Sequence, residues 1–287
     1  DSMLSDITDE ERMDYVSSQG YAWGYIGSCV PFVLCLVIVL GSDPLGIRME
    51  TAMGIAFVLV AVWWLLMSLP LLKNYEQKYY VEKKPHAIAQ SFKRLGETFK
   101  NMKEEKQVFM FLLAFFFYID GVYTIIDMAT AYGSALGLDS TGLLLALLVT
   151  QIVAFPCAII FGNLSYRIRT EKLIIVCIFA YLGIAIFAVF LKTQFQFWIL
   201  AILVGMFQGG IQALSRSYFT KIIPEEHSGE YFGLMDICGK GASFVGTTIV
   251  SIVSQLTGNI SMGVGMIAIL FCIGIVIFLK AVSMNNN

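Results

Sequence analysis

Charged side chains are scarce in this chain. Only 14% of its 287 residues are Asp, Glu, Lys or Arg, against about 25% in a soluble globular domain. Apolar residues make up the difference, at 57%. One aqueous core cannot hold so much apolar surface, so lipid must solvate much of it, and a water-soluble enzyme is excluded. The usual conversion of length into soluble domains does not apply to such a bundle. Histidine is nearly absent: His86 and His227 both lie in polar connectors, which argues against a histidine metal centre. The six cysteines (Cys29, Cys35, Cys157, Cys177, Cys238 and Cys272) sit in apolar stretches, with no Cys-x-x-Cys spacing. Neither a disulfide framework nor a zinc site is expected; they read as soft packing residues. There is no G-x-x-x-x-G-K-S/T loop, so no nucleotide-driven pump is encoded. There is also no H-E-x-x-H or G-x-S-x-G, so no catalytic residues and no cofactor are expected. A net charge of −2 gives no reason to expect a nucleic-acid partner. The first twenty residues are polar and acidic, which rules out a signal peptide there. Residue 1 is Asp rather than Met, and the chain reads as starting within a longer protein.

What is abundant is long apolar sequence. A spanning helix needs about 20 mostly apolar residues, and eight such stretches run roughly over 20–41, 51–73, 107–133, 141–162, 172–192, 196–218, 229–254 and 259–281. Backbone groups in lipid must be satisfied within the segment, so these are helices. The Lys and Arg residues of the connectors orient them. If the first stretch enters from the cytoplasm, the cytoplasmic side carries Arg12, Lys78, Lys83, Lys84, Lys93, Arg94, Lys100, Lys103, Arg167 and Arg169. The opposite side then has only Arg48 and Lys192. Both ends of the chain are then cytoplasmic.

One connector is long and basic, from Asn74 to about Glu105. Within it Phe92, Leu95, Phe99 and Met102 share one helical face, the pattern of an amphipathic helix on the membrane surface. It serves either as a headgroup-following linker or as a regulatory element. The organisation is therefore residues 1–73 with two spans, a cytoplasmic linker at 74–105, and a six-span unit at 106–287. Six spans after a central linker have the shape of one half of a twelve-helix transporter. The two before it are four short of the other half.

Ionisable and polar residues within spans are costly, and each is a functional candidate. The third span carries Asp120 and Asp127, seven residues apart on one face with Thr124 between them. Asp120 lies near mid-membrane, and a carboxyl withdrawn from water favours its neutral form, which suits a proton-coupled carrier. The alternative is a structural aspartate paired with a cation on a neighbouring helix. Two facing aspartates of a protease dyad are not available, since these two share one helix about 10 Å apart along its axis. In the sixth span Gln208, Gln212 and Ser215 share a face, with Arg216 beside them towards the cytoplasm. The glutamines can contact a polar solute or join helices. Gly205 and Gly209 form a small-xxx-small pair for close helix approach or for ligand room. In the seventh span Asp236 and Lys240 are spaced to pair along the helix, as a cytoplasmic gate or as a permanent self-neutralised pair. In the fourth, Thr150 and Gln151 precede Pro156, which frees a carbonyl and can kink the helix; kinked helices line transporter cavities.

Five blocks together resemble the vacuole-effluxer-like branch of the major facilitator superfamily. They are ERMDYVSSQGYAWGYIG (11–27), YIDGVYTII (118–126), GLDSTGLLLALLVTQIVAFPCAIIFG (137–162), QGGIQALSRSYFTKIIP (208–224) and FGLMDICGKGASFVG (232–246). The resemblance covers nearly the whole chain, from the loop after the family's fourth helix to its twelfth. The superfamily's loop pattern G-x-L-S/A-D-R is matched by Gly162, Leu164, Ser165 and Arg167, but Tyr166 stands at the aspartate and Arg169 at a later glycine. The resemblance implies an all-α membrane fold of two six-helix halves with alternating access. It also implies a solute like the amino acids exported by fungal relatives.

The expectation is thus a multi-pass secondary transporter of small polar solutes, amino acids first, in a bacterial plasma membrane. Its solute and proton pathway would use Asp120, Thr124, Asp127, Gln151, Gln208 and Gln212. Its gates would use Arg167, Arg216, Asp236 and Lys240. The lipid bilayer, a small solute and protons are the expected partners. A non-transporting receptor or scaffold of the same fold, or a carrier of lipid-like amphiphiles, are the rival readings.

Overall fold

The computed structural model describes residues 1–44, 46–78, 94–96, 98–100 and 105–285, and has no strand among them. A short helix (Leu4–Ile7) leads into α1 (Met13–Leu40) and α2 (Met49–Asn74). After the linker come α3 (Lys106–Ala135), α4 (Ser140–Leu164), α5 (Thr170–Val189), α6 (Gln194–Ile222) and α7 (Ser228–Thr257). The last helix, α8, is built from Ile260–Gly265 and Ile267–Asn285. All eight are long and apolar enough to cross a membrane. Local chemistry marks their ends. Asp139 caps α4 by accepting from the Gly142 amide, Thr193 and Gln196 form a reciprocal capping box on α6, and Gly258 ends α7 in the left-handed region at φ 65°, where a Cβ would be strained. Helix α4 runs unbroken through Pro156.

The main surprise among the boundaries is α1. It begins at Met13 rather than near residue 20. Its first turns carry Asp14, Ser17 and Ser18, all buried. They are held by other helices and not by lipid, so an apolar count alone misses them.

Helices α3, α5, α6, α7 and α8 share one aromatic core, with Phe111, Tyr118, Tyr181, Phe219, Phe271 and Phe278 fully buried. The Phe111 ring stacks on Phe219 at 5.6 Å, and Tyr181 on Phe271 at 5.8 Å. A smaller cluster of Ala22, Tyr25, Ala154 and Ala158 joins α1 to α4. Helix α6 lies tightly against α4. A methyl added at Gly205 would stand 2.6 Å from the Thr150 carbonyl, and one at Gly209 2.7 Å from Ala158. Close approach, and not room for a ligand, is therefore the use of this small-xxx-small pair.

The outward faces are apolar. Phe57, Trp64, Leu72, Phe195, Phe244 and Leu256 are each at least 70% exposed, as a lipid-solvated surface requires. Within α2 only Ala52 is buried. In the linker, Phe92 and Met102 lie outside the described residues. Leu95 packs inward against the protein core, whereas Phe99 is half-exposed. The end of the bundle where α1, α3, α5 and α7 begin, rich in Lys and Arg, is called the basic end below.

Candidate solute cavity and its latch

Four of the expected residues meet around one cavity of about 210 Å³ enclosed by α1, α3, α6 and α7. Gln212 and Arg216 come from α6, one turn apart. Asp236 and Lys240 come from α7, also one turn apart. Tyr21 of α1 and Tyr123 of α3 supply hydroxyl-bearing rings. A second cavity of about 400 Å³ shares Tyr21, Gln212 and Arg216 and adds Tyr25 and Gln151. Gln151 is also a wall of a third, mostly apolar pocket of about 60 Å³ that holds Gln208 and Thr150. Three spaces thus adjoin one another through shared side chains. Tyr25 donates to the Gln212 Oε1 at 3.1 Å. The Oε1 atoms of Gln151 and Gln208 are buried with no hydrogen-bond partner among the described residues, leaving acceptors for a solute or for water.

The ion pair expected along α7 is not formed: no contact within 4.0 Å joins Asp236 to Lys240. Neither has another ion-pair partner among the described residues. Both side chains are exposed towards the cavity, and an i,i+4 pair in that setting gains only a few tenths of a kcal/mol. The cavity therefore presents Asp236 and Lys240 outside any ion pair among the described residues, beside the paired Arg216 and Asp1.

Asp120, Thr124 and Asp127 do not line this cavity. They clasp α3 to α7. Asp120 is fully buried. Its Oδ1 accepts from the Thr124 hydroxyl at 3.2 Å and from the Gly246 amide at 3.0 Å, while Oδ2 has no partner among the described residues. Asp127 Oδ2 accepts from Ser243 at 2.7 Å. The cation partner weighed for Asp120 is absent among the described residues, and a main-chain N–H takes its place. A Cβ at position 246 would lie 2.1 Å from Asp120 Oδ1 and 2.2 Å from Thr124 Oγ1, so only glycine fits there. Ser215 also turns away from the cavity; it is buried and shares a 2.7 Å hydrogen bond with Tyr118.

At the basic end lies a network that sequence reasoning missed. Asp14 of α1 accepts from Ser217 at 2.5 Å, from Thr170 at 2.6 Å and from Lys221 Nζ at 2.8 Å. One carboxylate thereby ties α1 to α5 and α6. Arg216 adds a second tie: its Nε donates to Ser17 Oγ at 2.9 Å and its Nη2 to the Ser17 carbonyl at 2.8 Å, with the guanidinium 4.6 Å from the Tyr21 ring centre. The signal present in the sequence, too weak to stand out, was the row of hydroxyls and charges at i,i+4 in Ser217 and Lys221, and an acid six residues ahead of the first apolar run. Arg167, by contrast, is exposed, and no hydrogen bond or ion pair of its side chain occurs among the described residues. The loop meets α1 through Tyr166, whose ring lies 5.9 Å from that of Tyr15. An aromatic contact occupies the place of the missing aspartate.

A family model described as vacuole effluxer Atg22 like matches residues 3–286. The chain belongs to that family. Among relatives of this Atg22-like chain, the MFS-type transporter YxiO of Bacillus subtilis (strain 168) is 46% identical over 279 residues, covering 96% of this chain and 65% of YxiO. Autophagy-related protein 22 of Botryotinia fuckeliana is 25% identical over 303 residues, covering 94% of this chain and 50% of that protein. The Atg22-like chain thus spans about half to two thirds of the length of these relatives. Its structure resembles the Escherichia coli fucose:proton symporter FucP, with TM-score 0.67, 16% identity and coverage of 98% of this chain and 72% of that one. It also resembles a bacterial homologue of the iron transporter ferroportin in an outward-facing state, with TM-score 0.63, 16% identity and coverage of 97% and 66%. The Atg22-like chain is a multi-pass membrane protein with the major facilitator fold.

Proposed function

We propose that this Atg22-like chain forms part of a secondary active transporter for small zwitterionic solutes, amino acids first. The observation that carries this reading is the pair of unpaired, opposite charges, Asp236 and Lys240, facing one cavity. A zwitterion leaving water needs a partner for each of its charges. An acid and a base one helical turn apart supply both, with Gln212 and the tyrosine hydroxyls as hydrogen-bonding walls. The kinship with an MFS-type transporter and with vacuole effluxers supports transport over a receptor or scaffold role. In this reading residues 1–73 close the N-terminal half, 74–105 link the halves, and 106–287 form the C-terminal half. Alternating access then works between the halves, with the Asp14 network as the gate on the basic end. By the positive-inside rule that end is cytoplasmic, and the membrane is a bacterial plasma membrane. Asp120, buried with one unpartnered oxygen, is the proton site. A second reading, carriage of a lipid-like amphiphile, draws on the apolar groove of about 640 Å³ between α1 and α2, lined by Trp23, Trp63 and Trp64.

The test is counterflow of a labelled amino-acid mixture into proteoliposomes holding the longest natural reading frame that contains this chain. Exchange by the parent and its loss in Asp236→Asn and Lys240→Gln are expected. Exchange untouched by both substitutions would remove the zwitterion reading. Its absence in folded parent, together with uptake of a labelled lysolipid, would favour the amphiphile.

A further inference from the structure

Arg216, like Gln212 through Tyr25, both walls the cavities and ties α6 to α1. It lines the 210 Å³ and the 400 Å³ spaces alike. Its bonds to α1 are to neutral oxygens, the hydroxyl and carbonyl of Ser17. A guanidinium carries five N–H donors, and these two bonds together with one to Asp1 leave two donors unspent. The Asp1 contact is instructive. Its carboxylate reaches Nη1 at 3.1 Å while lining the same cavities. A carboxylate therefore reaches the Nη1 side of Arg216 with one bond, and a side-on two-bond grip requires the Nε–Nη2 edge now spent on Ser17. The side chain is only 17% exposed, so little water competes for it. A guanidinium prefers a carboxylate, often gripped by two parallel bonds, to neutral acceptors.

We infer that Arg216 is the carboxylate-recognition residue of the solute cavity, and that it exchanges Ser17 of α1 for the carboxylate of the bound solute. This rests on the reading of the cavity as a zwitterion site. Asp236 then holds the solute ammonium, and Lys240 stands as the second cation near the carboxylate. The consequence is a selectivity rule: a solute lacking a carboxylate cannot compete for Arg216. Ser17 is a competitor for the same donors, so weakening it strengthens solute binding. A purely structural Arg216–Ser17 tie predicts no such gain.

The experiment measures retention of a labelled proteinogenic amino-acid mixture on the purified full-length protein, competed by unlabelled amino acids or by their carboxamides. Wild type is expected to be displaced by the acids and not by the carboxamides at tenfold excess. Arg216→Gln should bind roughly tenfold more weakly or worse, the size of a lost charged hydrogen bond. Ser17→Ala, which keeps every charge and guards against a misfolded arginine variant, should bind severalfold more tightly. Arg216→Gln binding like wild type, carboxamides competing as well as the acids, or Ser17→Ala failing to tighten binding would each overturn the inference. If Asp236→Asn weakens binding while Arg216→Gln does not, the cavity reading stands and the role of Arg216 falls. If wild type retains no label at all, both fall.

Discussion

The seam between α1 and α6 and the seam between α3 and α8 are both buried, yet they are built from opposite materials. The first is hydroxyls and charges: Ser17, Arg216, Asp14, Ser217 and Lys221, each bond replaceable by one to water. The second is rings: Phe111, Tyr118, Phe271 and Phe278, and Gly121, where an added Cβ would sit 2.5 Å from Phe271. Packed rings offer water nothing in exchange for the contacts they would lose. A polar seam can open and close on small changes in free energy, whereas an interlocked aromatic seam holds its helices as one body. Hence α3, α5, α6, α7 and α8 are expected to move together, and α1 to move against them.

Breaking the aromatic seam should have the largest effect on stability and the least on conformation. Phe271→Ala is expected to cost about 3–5 kcal/mol, read as a lower melting temperature in detergent. Spin labels on the exposed Glu10 and Arg167, in a background with the native cysteines replaced, should keep their parental distance distribution. Asp14→Ala should show the reverse emphasis. It strands Lys221, at a cost of about 3 kcal/mol to the closed state, and the same label pair should shift towards longer distances. If both variants alter the distances alike, the contrast between the seams is lost. Gly246→Ala sharpens the picture at the α3–α7 clasp: an added methyl against Asp120 and Thr124 should cost about 1–3 kcal/mol and lower the melting temperature, whereas Gly229→Ala, with open space around it, should not.

Asp120→Asn should be milder, below about 1 kcal/mol in stability, because an amide oxygen can still accept from Gly246. Its predicted effect is on coupling: uptake driven by a pH gradient is lost while exchange persists. Retained pH-driven uptake would retire Asp120 as the proton site. The smallest effect is expected outside the membrane. Burial and a hydrogen bond to Asp6 push the Tyr75 phenol up to about 12. A phenol raised above its unfolded value stabilises the fold fully below about pH 10 and loses that contribution as pH climbs through about 12. Tyr75→Phe should therefore lower stability by roughly 0.5 kcal/mol at pH 8 and bring no further loss at pH 12, as checked by melting curves.

The fold was largely legible because lipid is a strict solvent: it demands about 20 apolar residues per crossing, and eight such runs are plain in the sequence. Gln212, Arg216, Asp236 and Lys240 were legible for the same reason, since polar groups in apolar runs stand out. Asp14, Ser17 and Ser217 were not. Asp14 and Ser17 lie in a polar stretch that composition assigns to a connector, and serine is too common in helices to mark a contact. The partner of Asp120 was beyond sequence reasoning of any kind, because it is a main-chain amide exposed by a missing Cβ. Asp236 and Lys240 were read as spaced to pair along α7, as a gate or as a self-neutralised pair; that their charges stay apart depends on what faces them, which no spacing rule records.

Arg216 and Ser217 are successive residues on α6, and successive residues on an α-helix point about 100° apart. One grips Ser17 at the cavity wall and the other Asp14 at the basic end. They are thus two lobes on a single camshaft. Motion of α1 against the five-helix body that frees the guanidinium from Ser17 frees the serine hydroxyl from its carboxylate in the same stroke. No relay of intermediate residues is then required between solute and gate. The timing of the two events is set by the pitch of the helix itself.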